Sequence, residues 1–232
     1  EVDRRYARIE ALLETTTSDL ARLHGELSLS FRTMISVRTA QRLIEEAGLE
    51  RDAAWAARAL ESARKVGQPD LLSAAFDAAA AVEMGRDEMA RVLELTKARQ
   101  KLEDRVSTSE RIDSWIVRAW SELLLGMLDE AARSADRARV GLATGQAASF
   151  VLGASSWRAI ALHALGRWDE ALADAARAER AWQESELRAP WFATNGFLAA
   201  LTIARGRGDA VAVRNLDGHV ALQLHVARAP HL

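Results

Sequence analysis

Small residues recur along this chain at a nearly constant interval. Gly85, Gly126, Gly166 and Gly206 stand 41, 40 and 40 residues apart, and seven positions before each lies an alanine: Ala78, Ala119, Ala159 and Ala199. Gly48 extends the series upstream at an interval of 37. Five positions after each of the first four glycines come Ala53, Ala90, Ala131 and Ala171, and the series breaks at Val211. A period of roughly 20 to 50 residues marks one supersecondary unit stacked on copies of itself, because a single unit cannot bury its own apolar face. The repeat therefore predicts a stack with a shared core.

The unit reads as a helical hairpin. Between Gln146 and about Glu186, Val151, Leu152, Trp157, Ile160, Ala161, Leu162, Ala164 and Leu165 form an apolar stripe at helical spacing that stops at Gly166. Glycine suits the left-handed conformation just past a helix C-terminus. Trp168-Asp169-Glu170 then opens a second helix, with acids where the amide dipoles favour negative charge, and Ala171, Leu172, Ala175, Ala178 and Trp182 form its stripe. Asp87, Asp129 and Asp209 punctuate the other turns. Pro69 and Pro190 fit first-turn positions. Ser107 with Glu110 has the spacing of a capping box before a helix holding Ile112, Trp115, Ile116 and Trp120. Helices approach to about 8 Å only where the crossing residues are small. This predicts crossings at Ala159 with Ala171, Ala119 with Ala131, and Ala78 with Ala90.

Composition agrees with helix. Only Pro69, Pro190 and Pro230 occur, alanine is abundant, and β-branched and aromatic residues are sparse. The expectation is an all-α chain of 232 residues. Its 31 basic and 33 acidic residues are interleaved, which provides no basic footprint for nucleic acid. The absence of cysteine excludes disulfides and thiolate metal sites. No apolar run approaches the roughly 20 residues of a membrane span, so a soluble cytoplasmic protein is expected. The chain opens on Glu1, not methionine, which suggests a piece of a longer protein.

Ala159, Leu165-Gly166, Trp168, Asp169-Glu170-Ala171 and Ala178 together resemble the tetratricopeptide repeat, and Gly126, Leu128, Asp129-Glu130-Ala131, Ala135 and Ala138 match it less fully. The units around Gly85 and Gly206 are weaker: Glu94 and Lys97 stand where small or apolar residues belong, and Gly208 replaces the aromatic. The period of about 40 exceeds the usual 34 by about one and a half helical turns. Longer Ala- and Arg-rich units with joints such as Gly67-Gln68-Pro69-Asp70 are similar to helical regions of bacterial adenylate/guanylate cyclases and large ATP-dependent transcriptional activators. The resemblance implies a right-handed α-α superhelix, a solenoid of about five hairpins over residues 31–212. Residues 1–30, with Tyr6, Ile9 and Leu13 divided by Thr15-Thr16-Thr17-Ser18 from Leu20, Leu23 and Leu27, form a helical cap or connector. Residues 213–232 form a terminal capping helix and tail, from Val213, Leu216, Val220, Leu222 and Leu224, as one helix or as two broken at Asn215-Leu216-Asp217-Gly218.

Few residues suggest chemistry. His24, His163, His219, His225 and His231 include no i, i+4 metal pair, and no Gly-rich phosphate loop with lysine or Gly-x-Ser-x-Gly elbow occurs. No metal, cofactor or catalytic residue is expected; an enzyme built on a helical toroid would need polar residues gathered in a cavity. Arg207-Gly208-Asp209 matches an adhesion tripeptide but falls in a repeat turn, and Glu45-Glu46 reads as solvated surface. Arginine far outnumbers Lys65, Lys97 and Lys101, and most arginines sit near acids at helical spacing. Trp55, Trp168 and Trp182 read as bulk filling the space between hairpins.

If the register of the resemblance holds, the first helix of each unit lines a concave surface. Asp113, Ile116, Trp120 and Leu123 project there from one unit, and Ser156, Ile160 and His163 from the next, continued by Ala193, Gly196, Ala200 and Ile203. A largely apolar surface with few polar groups suits a peptide, protein or small effector. His163 also reads as a polar residue satisfied between helices. The expected function is a non-catalytic binding module, the regulatory part of a bacterial signalling or transcription-control protein, with no direct contact to nucleic acid or membrane. The alternative is a structural scaffold that self-associates, for example as a homodimer.

Overall fold

The computed structural model describes residues 2–32, 46–140, 148–184 and 191–228. Among these the chain is helical, with no strand: α1 Val2–Thr15, α2 Asp19–Ser30, α3 Glu46–Val66, α4 Pro69–Gly85, α5 Met89–Gln100, α6 Thr108–Leu124, α7 Leu128–Val140, α8 Ala148–Ala164, α9 Trp168–Gln183, α10 Trp191–Arg207 and α11 Ala210–Arg228. A short 3-10 turn, Glu103–Arg105, precedes α6.

Four joints share one hydrogen-bond code. At the α6–α7 joint the Gly126 N–H donates to the Leu123 carbonyl and the Met127 N–H to the Glu122 carbonyl, while Met127's own carbonyl accepts from Ala131. Gly166 and Arg167 repeat this with His163, Leu162 and Ala171; Asp87 and Glu88 with Met84, Glu83 and Val92; Gly208 and Asp209 with Arg205, Ala204 and Val213. Each is a Schellman closure in which the residue that terminates one helix also caps the next. The left-handed residue of each has φ between 62° and 75°, and successive ones lie 39, 40 and 42 positions apart.

At these four joints the left-handed residues are Asp87, Gly126, Gly166 and Gly208, so two of the four glycines that define the sequence period are not the turn residues. Gly85 ends α4 and Gly206 lies in the last turn of α10. Gly85 is small for another reason: a methyl there would collide with Leu49 of α3. Gly48 sits in the first turn of α3 and terminates nothing. The two weak units are thus regular, but shifted by two residues. Val92, Thr96 and Arg99 occupy the positions held by Ala131, Ala135 and Ala138, and all three are buried, whereas Glu94 and Lys97 face solvent. Val211 is exposed because Val213 takes the equivalent position.

The expected alanine pairs are also not the observed ones. Ala90 is exposed and Met89 is buried beside it. Ala159 packs with Ala175, not Ala171, and Ala119 with Ala135, not Ala131; Ala171 instead meets Ala161 and Leu162, and Ala78 meets Ala56 and Val82. In antiparallel helices, contacting residues lie at matched distances from the turn. Ala171 is too near the turn to reach Ala159.

Starts and stops follow local chemistry. Pro69 occupies the first turn of α4. Ser18 divides α1 from α2 by accepting the Ala21 N–H. Ser107 Oγ accepts from the Glu110 N–H at 3.4 Å, but the reciprocal half of the capping box is diverted: Asp70 takes the Ser107 N–H at 2.7 Å, and Glu110 binds Arg99. Arg99, 3% exposed, also donates to Ser73 Oγ and Asp77. The Asp87 side chain sits in the left-handed turn, Asp129 lies in α7, and Asp209 accepts from Val211 and Ala212 N–H. α11 runs unbroken through Asn215–Gly218, since helix interiors tolerate one glycine. Leu20 and Ala164, placed on buried stripes by their spacing, are exposed near helix ends. Pro190, Glu45 and His231 lie outside the described residues, as do the side chains of Ala193, His219, Leu222, Leu224 and His225.

The chain divides into two compact units, Glu1–Glu110 and Arg111–Leu232. In the first, α2 packs on α1, α3 and α4, α3 on α4, and α4 on α5, around Leu23, Ala59, Ala63 and Ala75. In the second, α8 packs on α7, α9 and α10, and α10 on α9 and α11. Its core contains Ala131, Leu162, Ala171 and Ile203 at one level and Leu152, Ala178, Phe197 and Val220 at another.

Candidate functional site

The residues expected to contact a ligand fall in the second unit, on α6 and α8. Gly153 lets these helices approach closely, since a methyl there would come within 3.2 Å of Ile116 Cγ2. Immediately beyond, Trp120 and Trp157 stack with ring centroids 5.4 Å apart and planes 3° from parallel. Parallel rings at that separation are offset, the arrangement the ring quadrupoles favour. Trp157 is buried and Trp120 half-buried. Ile116, Leu123 and Ile160, each half-buried, pack around the pair together with Ala119 and Ala135. An amphipathic strip thus joins the two helices.

Other expected residues behave differently. Asp113 and His163 are half-buried, His163 in the last turn of α8. Ser156 is fully buried beneath Gly196, whose added Cβ would lie 3.1 Å from Ser156 Cα. Gly196, Ala200 and Ile203 are buried as well, so these four serve helix packing. Trp168, expected between hairpins, is instead 41% exposed, with the Arg207 guanidinium 6.0 Å above its ring and bound to Asp169 at 2.8 Å. It begins its helix directly after the turn, too early to reach the interior. Trp182 packs as expected, tilted against Phe197, while Trp55 is half-buried in the first unit.

Arg158 binds Asp174, a carboxylate buried to 2% exposure, and approaches Asp136 and Glu170. Arg158 and Asp136 line a shallow cavity of about 330 Å³ together with Asp129, Arg133, Arg137 and Arg167. Arg133 pairs with Glu130 and Arg167 with Glu170, and Arg137 lies over the Trp115 ring at 4.6 Å. Among the described residues, no three His, Asp or Glu side chains are placed to hold a metal ion, and no helix is long and apolar enough to cross a membrane.

Glu26 of α2, which is not among the residues expected above, is buried to 5% exposure. The signal was available: Leu23, Glu26, Leu27 and Ser30 share one helical stripe, and a carboxylate on a buried stripe calls for a counterpart. No protein-family model matches this chain, and no curated protein is significantly similar to it in sequence.

Proposed function

We propose that this chain is a non-catalytic binding module, with hairpins that stack in a right-handed tetratricopeptide-like superhelix. Its recognition strip is formed by Asp113, Ile116, Trp120 and Leu123 of α6 and by Ile160 and His163 of α8. The supporting observation is the half-buried apolar surface around the Trp120–Trp157 pair, which offers a rigid aromatic anchor and a polar margin at Asp113 and His163. Such a strip suits an apolar or aromatic side chain of a peptide. In a longer bacterial signalling or transcription-control protein, occupancy would be passed along the stacked units to an output domain.

The test is selection of binders from a displayed peptide pool on the intact chain, followed by titration of Trp120→Ala and Ile160→Ser. We expect the Kd of selected peptides to rise at least about tenfold in either variant while helicity is retained. Equal affinity for both variants and the parent would overturn the assignment. The scaffold reading draws on the exposed Leu124, Val140 and Val211. It predicts mass that rises with concentration in light scattering.

A further inference from the structure

In the first unit, α1, α2 and α3 surround a cavity of about 400 Å³. Its apolar wall is Leu13 and Trp55, and its acids are Glu10, Glu14 and Glu26; Arg22 and Arg58 complete the lining. We propose that this cavity binds an organic monocation, an alkylguanidinium or alkylammonium, with the Glu26 carboxylate as counter-ion, the Trp55 ring face against its charged head and Leu13 against its hydrocarbon part. The proposal is independent of the strip on α6 and α8.

Glu26 carries the argument. Its Oε2 is buried and has no hydrogen-bond partner among the described residues. A carboxylate withdrawn from water without a donor is strongly unfavourable, and α2 holds this one inward because Leu23 and Ser30 of the same stripe are buried too. The nearby cations do not supply the missing donor. Arg22 donates to the Thr16 carbonyl at 2.8 Å, Arg58 lies over the Trp55 ring at 4.8 Å, and Arg32 pairs with Glu10 at 3.3 Å.

The lining also sets the charge and shape of the guest. Among the lining carboxylates Glu10 is already paired with Arg32, and Glu26 is the buried one whose oxygen lacks a donor, so the site matches a single positive charge. Trp55 already holds a guanidinium on its face, so the ring is a demonstrated cation platform, and the exposed Arg58 side chain stands where a ligand cation would compete for it. α1 and α2 approach closely at Gly25, where a methyl would come within 2.8 Å of Leu13 Cδ2.

The experiment follows the Trp55 indole N–H by NMR in the full chain, assigned through Trp55→Phe, at constant ionic strength. Probes are n-butylguanidinium, its neutral isostere n-butylurea, and butyrate. We expect a saturable shift with n-butylguanidinium and a Kd on the order of 1 mM. Glu26→Gln should weaken it at least about tenfold, and neither butylurea nor butyrate should saturate. No saturation by the guanidinium, equal affinity for Glu26→Gln, or equal binding of butylurea or butyrate overturns the proposal. If Glu26→Gln does not fold, Arg58→Ala decides: it frees the ring and adds net negative charge, so binding must tighten. Unchanged or weaker binding then counts against the site.

Discussion

Ser134 Oγ of α7 donates a 2.6 Å hydrogen bond to Oε2 of Glu122 in α6, a carboxylate with no exposed surface. Its other oxygen accepts from Arg118 Nε at 2.6 Å, and its backbone carbonyl accepts the Met127 N–H that closes the turn. One residue thus ties the hairpin together by side chain and main chain. Glu122→Ala leaves Ser134 buried without an acceptor, and should destabilise by about 2 to 4 kcal/mol, reduced from a fully buried pair because Arg118 is partly exposed. Ser134→Ala should cost about 1 to 2 kcal/mol. Urea titrations in a double-mutant cycle would test this; zero coupling would mean the contact contributes nothing.

The left-handed turns make a paired prediction. Gly166→Ala forces a side chain into φ +75°, and should destabilise by about 1 to 2 kcal/mol. Gly206→Ala adds a methyl inside a helix with no atom within 4 Å, and should be neutral or stabilising by up to about 1 kcal/mol. Asp87→Gly should stabilise for the converse reason. Equal melting shifts for Gly166→Ala and Gly206→Ala would refute the assigned turns.

Overpacking distinguishes the observed alanine contacts from the expected ones. Ala159→Leu and Ala175→Leu enlarge two residues of one buried cluster, and each should destabilise by about 1 to 3 kcal/mol. Ala90→Leu projects into solvent and should shift stability by less than about 0.5 kcal/mol. Chemical denaturation of the three variants checks the order.

Surface pairs should give the protein a mild acid sensitivity. Hydrogen bonds from Arg167, at 2.7 and 2.8 Å, hold the Glu170 carboxyl below its usual range, and Lys65 at 2.7 Å does the same to Glu61. A carboxyl with a lower pKa folded than unfolded contributes stability above its unfolded pKa and loses it as pH falls through the folded value. Lys65, raised by Glu61, contributes below its unfolded pKa and loses that as pH rises through its raised one. All three groups are exposed, so salt screens them. At low salt, Glu61→Gln with Glu170→Gln should lower Tm at neutral pH but not in strong acid, and molar salt should abolish the difference. A Tm difference that persisted in strong acid would contradict this origin.

The helical class, the hairpin length and the burial of most core alanines were legible in the order of residues alone. Burial at helical spacing is a local property, and the glycines at 126 and 166 coincide with the turns because left-handed backbone strongly prefers them. Local pattern could not reveal that Asp87 and Gly208 take that role elsewhere. Asp tolerates the left-handed region, and Gly85 is small to admit Leu49, a residue 36 positions away. Tertiary structure alone decided that Ala159 meets Ala175, that Ser156 lies under Gly196, and that Trp120 finds Trp157. It also decided that the Glu26 carboxylate borders a cavity with Trp55. Each depends on the rotation and offset of one helix against another, set by side-chain fit across the interface and not by the order of residues along either helix.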